Sequence, residues 1–238
     1  MAQFLTFSIR AIMTKKLKDI GKMQFRKDKT KYSSESDAAK IIGNPKCDFV
    51  VEGQTEELYL RSLKNNPLLP YVISKLYNLK GSKNEGIFES CDSTIKKLLK
   101  NPRPNQIVCV FDVDVCCGRN NLKNYKKFKN LLFGYKNEIS KKELLVCESL
   151  PSIEFWFLAH FDNVSRYMTV SDAVSALKKH IPAYGKSDKF LSTFDWSYIN
   201  NHLSTAIINQ SRVSEESKLF YDNDINFSYS NIYKLFQV

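Results

Sequence analysis

Asp112 and Asp114 stand two residues apart at the end of the apolar run IVCVFDVD, residues 107–114. In a strand, positions i and i+2 point to the same side, so the two carboxylates are expected to converge. Two acids emerging from an apolar run repel each other and lose hydration unless a cation neutralises them. Mg2+ or Mn2+, which takes oxygen ligands and retains water, is the natural cation. Taken alone, the pair also fits a solvated junction whose acids cap the next helix. Glu52 shifts that balance, because it ends a second apolar run, CDFVVEG at 47–53. Gly53 beside it is expected to allow a tight turn or close approach by a phosphate. Glu56 and Glu57 follow in the first turn of a helix. Complementing the helix dipole accounts for Glu57, whereas Glu56 is close enough to Glu52 to share a ligand. Three carboxylates from two strands have no ready structural rationale, and metal binding is the expectation.

Glu154 lies in the first turn of the apolar stretch PSIEFWFLAHF, behind Pro151, a position that suits either a second metal or the helix dipole. His160 sits on the same stretch among Phe157, Leu158 and Phe161, the setting of a hydrogen-bonded core histidine more than a catalytic one. His180 and His202 have no partners at ligand spacing and take no role. Arg119, Lys123, Lys126 and Lys127 follow the aspartates closely, with Lys129 just beyond. From Arg119 to Lys142 there are eight basic residues against one acid. A helix so charged, next to a carboxylate centre, is expected to hold a phosphate backbone, with a solvated face as the plain alternative.

The elements that must position these residues alternate in type. The runs at 47–53, 107–114 and 143–149 read as buried strands, and TEELYLRSLKN, with Thr55 as cap candidate, reads as a helix. YVISKLYNL, GIFES and the helical pattern DSTIKKLLKN lie between the first two strands. NLKNYKKFKNLLFGYKNEI is a basic amphipathic helix. Nearly continuous apolar strands separated by helices predict an α/β fold: a parallel sheet with helices on both faces. In such sheets the active crevice lies at the carboxyl ends of the strands, where Glu52, Asp112 and Glu148 fall. After about Asp162 the composition turns to Ser, Asn and Tyr. Helical patterns at SDAVSALKKHI and DWSYINNHLSTAIINQ predict a mostly helical C-terminal subdomain over 163–238, behind a domain at 47–162.

The chain has 238 residues, 36 basic and 25 acidic, with a formal charge of +11 and a pI near 9.2. That excess favours polyanions, with nucleic acid ahead of an anionic membrane surface or an acidic protein. Residues 1–46 hold eleven Lys or Arg against four acids and read as a basic N-terminal arm. A hydrophobic fraction of 43% supports a sizeable core and excludes a disordered chain. No apolar stretch approaches a membrane span, and no secretory signal is evident. Six cysteines, three in or beside apolar runs and two forming the vicinal pair Cys116–Cys117, read as reduced thiols of a cytoplasmic protein.

VVEGQTEELYL, FDVDV and LPSIEFWFLAHF, in this order, resemble the blocks of the RloB-like proteins, which carry a Toprim-like domain. YGKSDKF, with Tyr184 and Lys186, and SNIYKLF resemble weaker blocks. The likeness is firm from 47 to about 190. It extends to the overcoming-lysogenisation-defect Toprim nucleases, which share the acidic arrangement. The resemblance implies a Toprim-like α/β sheet and nuclease chemistry dependent on Mg2+ or Mn2+. By position it implies metal-site acids Glu52, Glu56, Asp112 and Asp114, with Glu154 as an addition and Lys186 stabilising charge on the phosphate. It also implies a role in bacterial anti-phage defence. The partners expected are nucleic acid (DNA, or RNA including tRNA), an ATPase from the same locus and a second copy in a homodimer, with no membrane partner. The vicinal cysteines and the long basic arm depart from the pattern.

The mechanism expected is metal-assisted phosphodiester hydrolysis, with Glu52 or Glu56 as general base. A topoisomerase would need strand-gating domains and a primase polymerisation machinery, neither of which is evident. The rival from another class is a non-catalytic module that binds nucleic acid or a partner and keeps the fold.

Overall fold

In the computed structural model, the residues described are 45–79, 87–100, 106–113, 130, 135, 143–164, 166–217 and 228–237. Five strands form one sheet. They are β1 (Lys46–Val51), β2 (Val72–Asn78), β3 (Gln106–Asp112), β4 (Glu143–Leu150) and β5 (Tyr229–Ser230), in the order β2-β1-β3-β4-β5. The first four are parallel, and β5 runs antiparallel to β4 through Ser149–Ser230 and Leu150–Tyr229. The expected α/β class with a parallel sheet is what the chain adopts, with an antiparallel edge added. Among the described residues, the helices whose bounds are defined are α1 (Gln54–Ser62), α2 (Ile87–Lys100), α3 (Ile153–Leu158), α4 (Val170–His180), α5 (Asp188–Thr193), α6 (Ser197–Asn200) and α7 (Leu203–Ser217). A 3-10 helix, Asn231–Phe236, follows β5.

Alternation along the strands divides the core in two. Cys47, Phe49 and Val51 of β1 and Val108 and Val110 of β3 face one side. There they pack with Tyr59 and Leu60 of α1, Trp156 and Phe157 of α3, and Leu177 of α4. Val50, Ile107, Cys109 and Phe111 face the other side, against Cys91, Ile95 and Leu98 of α2. Helices therefore cover both faces, which is why the strands read as unbroken apolar runs. Residues beyond 163 build onto the first of these layers: Trp196, Ile199, Leu203 and Ala206 are buried in the cluster that holds Cys47 and Phe49. Cys47, Cys91, Cys109 and Cys147 are free and buried, as small core hydrophobes; Cys116 and Cys117 lie outside the described residues. No helix among the described residues is long and apolar enough to cross a membrane.

The strand order reverses between β1 and β3. The connection through α1 leads from β1 outward to β2, and α2 then returns across β1 to β3 on its far side. At such a reversal the flanking connections leave in opposite directions and open a crevice above the carboxyl ends of the two central strands. Glu52 follows β1 there and Asp112 ends β3 there. The register Val51–Val110 sets the two ends level.

Local details differ from expectation at three places. The N-cap of α1 is Gly53, not Thr55, which lies inside the helix and is buried. Gly53 has φ −148°, extended backbone that any residue adopts, so no tight glycine turn is needed. Pro151, joined to Leu150 by a cis peptide bond, precedes the N-cap Ser152 and does not occupy the first helical position.

Candidate metal centre

The candidate site is built from Glu52, Glu56, Asp112 and Glu154 with Tyr184 and Lys186. Glu52 leaves β1 with its N–H on the Val110 carbonyl at 3.2 Å, extending the β1–β3 ladder by one step. Its carboxylate then turns to β3, where Oε2 accepts the Asp112 N–H at 3.0 Å. The acid that follows one strand is thereby bonded to the backbone of the acid that ends its neighbour. One helical turn further, Glu56 reaches back to accept the Gly53 N–H at 3.0 Å. That bond satisfies an orphan donor of the helix start and brings a second carboxylate over the strand ends.

Burial governs the electrostatics. The Glu56 carboxyl is pushed up to about 7, first by burial, against the pull of a backbone hydrogen bond, and then by Glu52 and Glu154, with Lys186 opposing. Burial, followed by Glu56, Glu52 and Glu154, holds Asp112 well above the usual carboxylate range, again against Lys186. These groups therefore sense one another across the crevice. The cost of ionising Glu56 and Asp112 together is what a cation would relieve.

Glu154, in the first turn of α3, has no exposed surface. Its Oε2 accepts from Ser152 Oγ at 2.6 Å, and its Oε1 accepts from Tyr184 Oη at 2.7 Å and pairs with Lys186 Nζ at 2.9 Å. Burial tends to discharge the Lys186 amine, but Glu154, Asp112 and Glu56 outweigh it and its pKa rises. Half of this side chain is exposed.

Of the predicted site residues, Glu52, Glu56, Asp112, Glu154 and Lys186 are gathered in this way. Asp114, Arg119, Lys123, Lys126 and Lys127 lie outside the described residues. Glu148 is buried on the opposite sheet face, level with Phe111, where it accepts from Tyr229 Oη at 3.1 Å. It therefore takes no part in the site. Glu57 bonds Arg61 at 2.7 Å and Asn78 at 2.8 Å and is structural. His160 is a core residue: its Nδ1 donates to the Trp156 carbonyl at 2.9 Å, and burial depresses its pKa to about 3. Ser152 was missed as a site residue, since nothing in a lone serine before a helix announces its partner.

All the gathered acids are hard oxygen donors, the chemistry suited to Mg2+ or Mn2+. As they stand, Glu52, Glu56 and Glu154 turn carboxylate oxygens toward donors of the chain itself. Among the described residues, no three His, Cys, Asp or Glu side chains are arranged to hold a metal ion.

The fold and these side chains define an α/β protein with an acidic crevice at the reversal of its sheet. The chain matches the family model described as RloB-like protein over residues 49–237, and it belongs to that family. The match runs past residue 190, where the firm sequence resemblance ended. Searches of curated proteins and of solved structures found no match.

Proposed function

We propose that the chain is a divalent-metal-dependent nuclease of the Toprim type, cleaving nucleic-acid phosphodiesters. The observation that carries this reading is the bond between Glu52 and the Asp112 N–H at 3.0 Å, with Glu56 beside it and two of the three acids pushed toward neutrality. Carboxylates that cannot all ionise as they stand are poised for a cation. Glu52, Glu56 and Asp112, with Asp114, would hold Mg2+ or Mn2+. When bound, such an ion polarises a phosphate and lowers the pKa of water. Glu52 or Glu56 would accept the water's proton. Lys186, charged and half exposed, would face the negative charge that develops on the phosphate. The overall charge of +11 favours a polyanionic substrate. On the family resemblance, we place this activity in bacterial anti-phage defence, beside an ATPase from the same locus.

A second reading rests on the orientation of the Glu52, Glu56 and Glu154 carboxylates toward the chain's own N–H and O–H donors. It is a module that binds nucleic acid or a partner without cleaving. One experiment separates the two: purified protein is incubated with mixed DNA, RNA and tRNA, with and without Mn2+, beside Asp112→Ala. Cleavage that needs Mn2+ and vanishes in the variant supports the nuclease. Retained binding without cleavage in either protein supports the module, and full cleavage by Asp112→Ala removes the metal centre.

A further inference from the structure

We infer that Ser152 and Tyr184 are positioning residues that fix the Glu154 carboxylate as the anchor of Lys186, so that Glu154 serves the ammonium and not a metal ion. The inference rests on the nuclease reading only for the use to which Lys186 is put.

A carboxylate with no exposed surface is tolerated when it is hydrogen-bonded and paired. Glu154 has both kinds of partner within the chain: two hydroxyls, at 2.6 and 2.7 Å, and one ammonium, at 2.9 Å. Three of its roughly four lone-pair directions are thereby used. Ser152 is the N-cap of α3, yet its hydroxyl makes no capping bond and is spent on the carboxylate. Tyr184 is buried, with its ring edge-on to Phe157 at 6.4 Å and to Phe190 at 5.5 Å. Its hydroxyl is thus delivered to Glu154 by a rigid aromatic mount. Tyr184 and Lys186 are two residues apart in the non-helical segment between α4 and α5, and they reach the same oxygen. A long lysine side chain that is half exposed would otherwise sample many rotamers. Held at Oε1, its charge stays in one place at the edge of the acidic crevice.

The test uses trace labelling of the full, metal-free chain with acetic anhydride, read by peptide mass spectrometry. Lys178 and Lys179, both exposed, are internal references. In the wild type, Lys186 should label more slowly than either. Glu154→Gln should speed it about tenfold, the factor that corresponds to a hydrogen bond to a charged group. Tyr184→Phe keeps the ring packing and carries the test if Glu154→Gln does not fold; it should raise the rate in the same direction, as should Ser152→Ala. Wild-type Lys186 reacting like the references, or unmoved by Tyr184→Phe, overturns the inference. A second readout is the Mn2+ concentration that gives half the maximal rise in thermal midpoint. Glu154→Gln and Tyr184→Phe should stay within about twofold of the wild type, whereas Asp112→Asn should weaken it by about tenfold or more. A Glu154→Gln loss as large as that of Asp112→Asn would make Glu154 a metal ligand and overturn the assignment. If the wild type shows no Mn2+ response, the proposed function falls, and the labelling still decides whether Glu154 anchors Lys186.

Discussion

Replacing Glu56 by glutamine isolates the cost of placing a negative charge in the acidic crevice. The carboxyl rises from an ordinary value of 4.5 to about 7 on folding, through burial first and then Glu52 and Glu154. Between those two values the folded chain keeps a proton that the unfolded chain has lost. Stability therefore falls as pH rises from about 4.5 to about 7 and stays reduced above. At about 1.4 kcal/mol per pH unit, the full cost is about 3 kcal/mol. Glutamine retains an oxygen for the Gly53 N–H and carries no charge. Without metal, Glu56→Gln should exceed the wild type by about 3 kcal/mol at pH 8 and by less than about 1 kcal/mol at pH 5. For a chain of this size that corresponds to about 6–12 °C in Tm at the higher pH. Urea unfolding at the two pH values measures it. A gap that is the same at both, or an absent gain at pH 8, would refute the reasoning.

Other outcomes follow from the same groups. Saturating Mn2+ should raise the wild-type Tm at pH 8 by relieving the crowded carboxylates, and Asp112→Asn should remove most of that rise; differential scanning fluorimetry reads both. His160, neutral in the fold with a pKa depressed to about 3 by burial, contributes stability that is present above about 6.5 and lost as pH falls. Between pH 6.5 and 4.5 the wild type should lose about 2–3 kcal/mol more than His160→Gln in urea unfolding. Glu56 works in the opposite sense over the same window, so the wild-type profile should be flatter than that of either variant. Trp156→Phe removes the Nε1–H bond to Tyr59 Oη at 2.8 Å and leaves a buried hydroxyl unmatched. It should cost about 1–3 kcal/mol in unfolding free energy at neutral pH.

The sheet was legible because its strands are covered on both faces. Residues 47–51, 107–111 and 144–147 carry apolar side chains almost without interruption, and Glu52 and Asp112 stand out against them. The clustering of those acids was inferable from the parallel arrangement alone, since parallel strands put their carboxyl ends at one edge. β5 was not legible: two residues carry no periodicity, and their place is fixed by Ser149 and Gln210 contacts distant in sequence. Thr55 misled as a cap because Gly53, with no side chain, takes that position and borrows the Glu56 carboxylate instead. The assembly around Glu154 joins residues up to 32 positions apart through single hydrogen bonds, which leave no spacing pattern to read.

The pairing of Val51 with Val110 makes the geometry of the crevice a whole-number quantity. Deleting one residue within β3 would not move Asp112 by a fraction of an ångström; it would carry it to the register position of Phe111, on the face covered by α2, and put Val113 in its place. The spacing between the two strand-end acids can therefore change only in jumps. Gradual adjustment is left to Glu56, Glu154 and Lys186, which stand on the helices and on the segment beside α5.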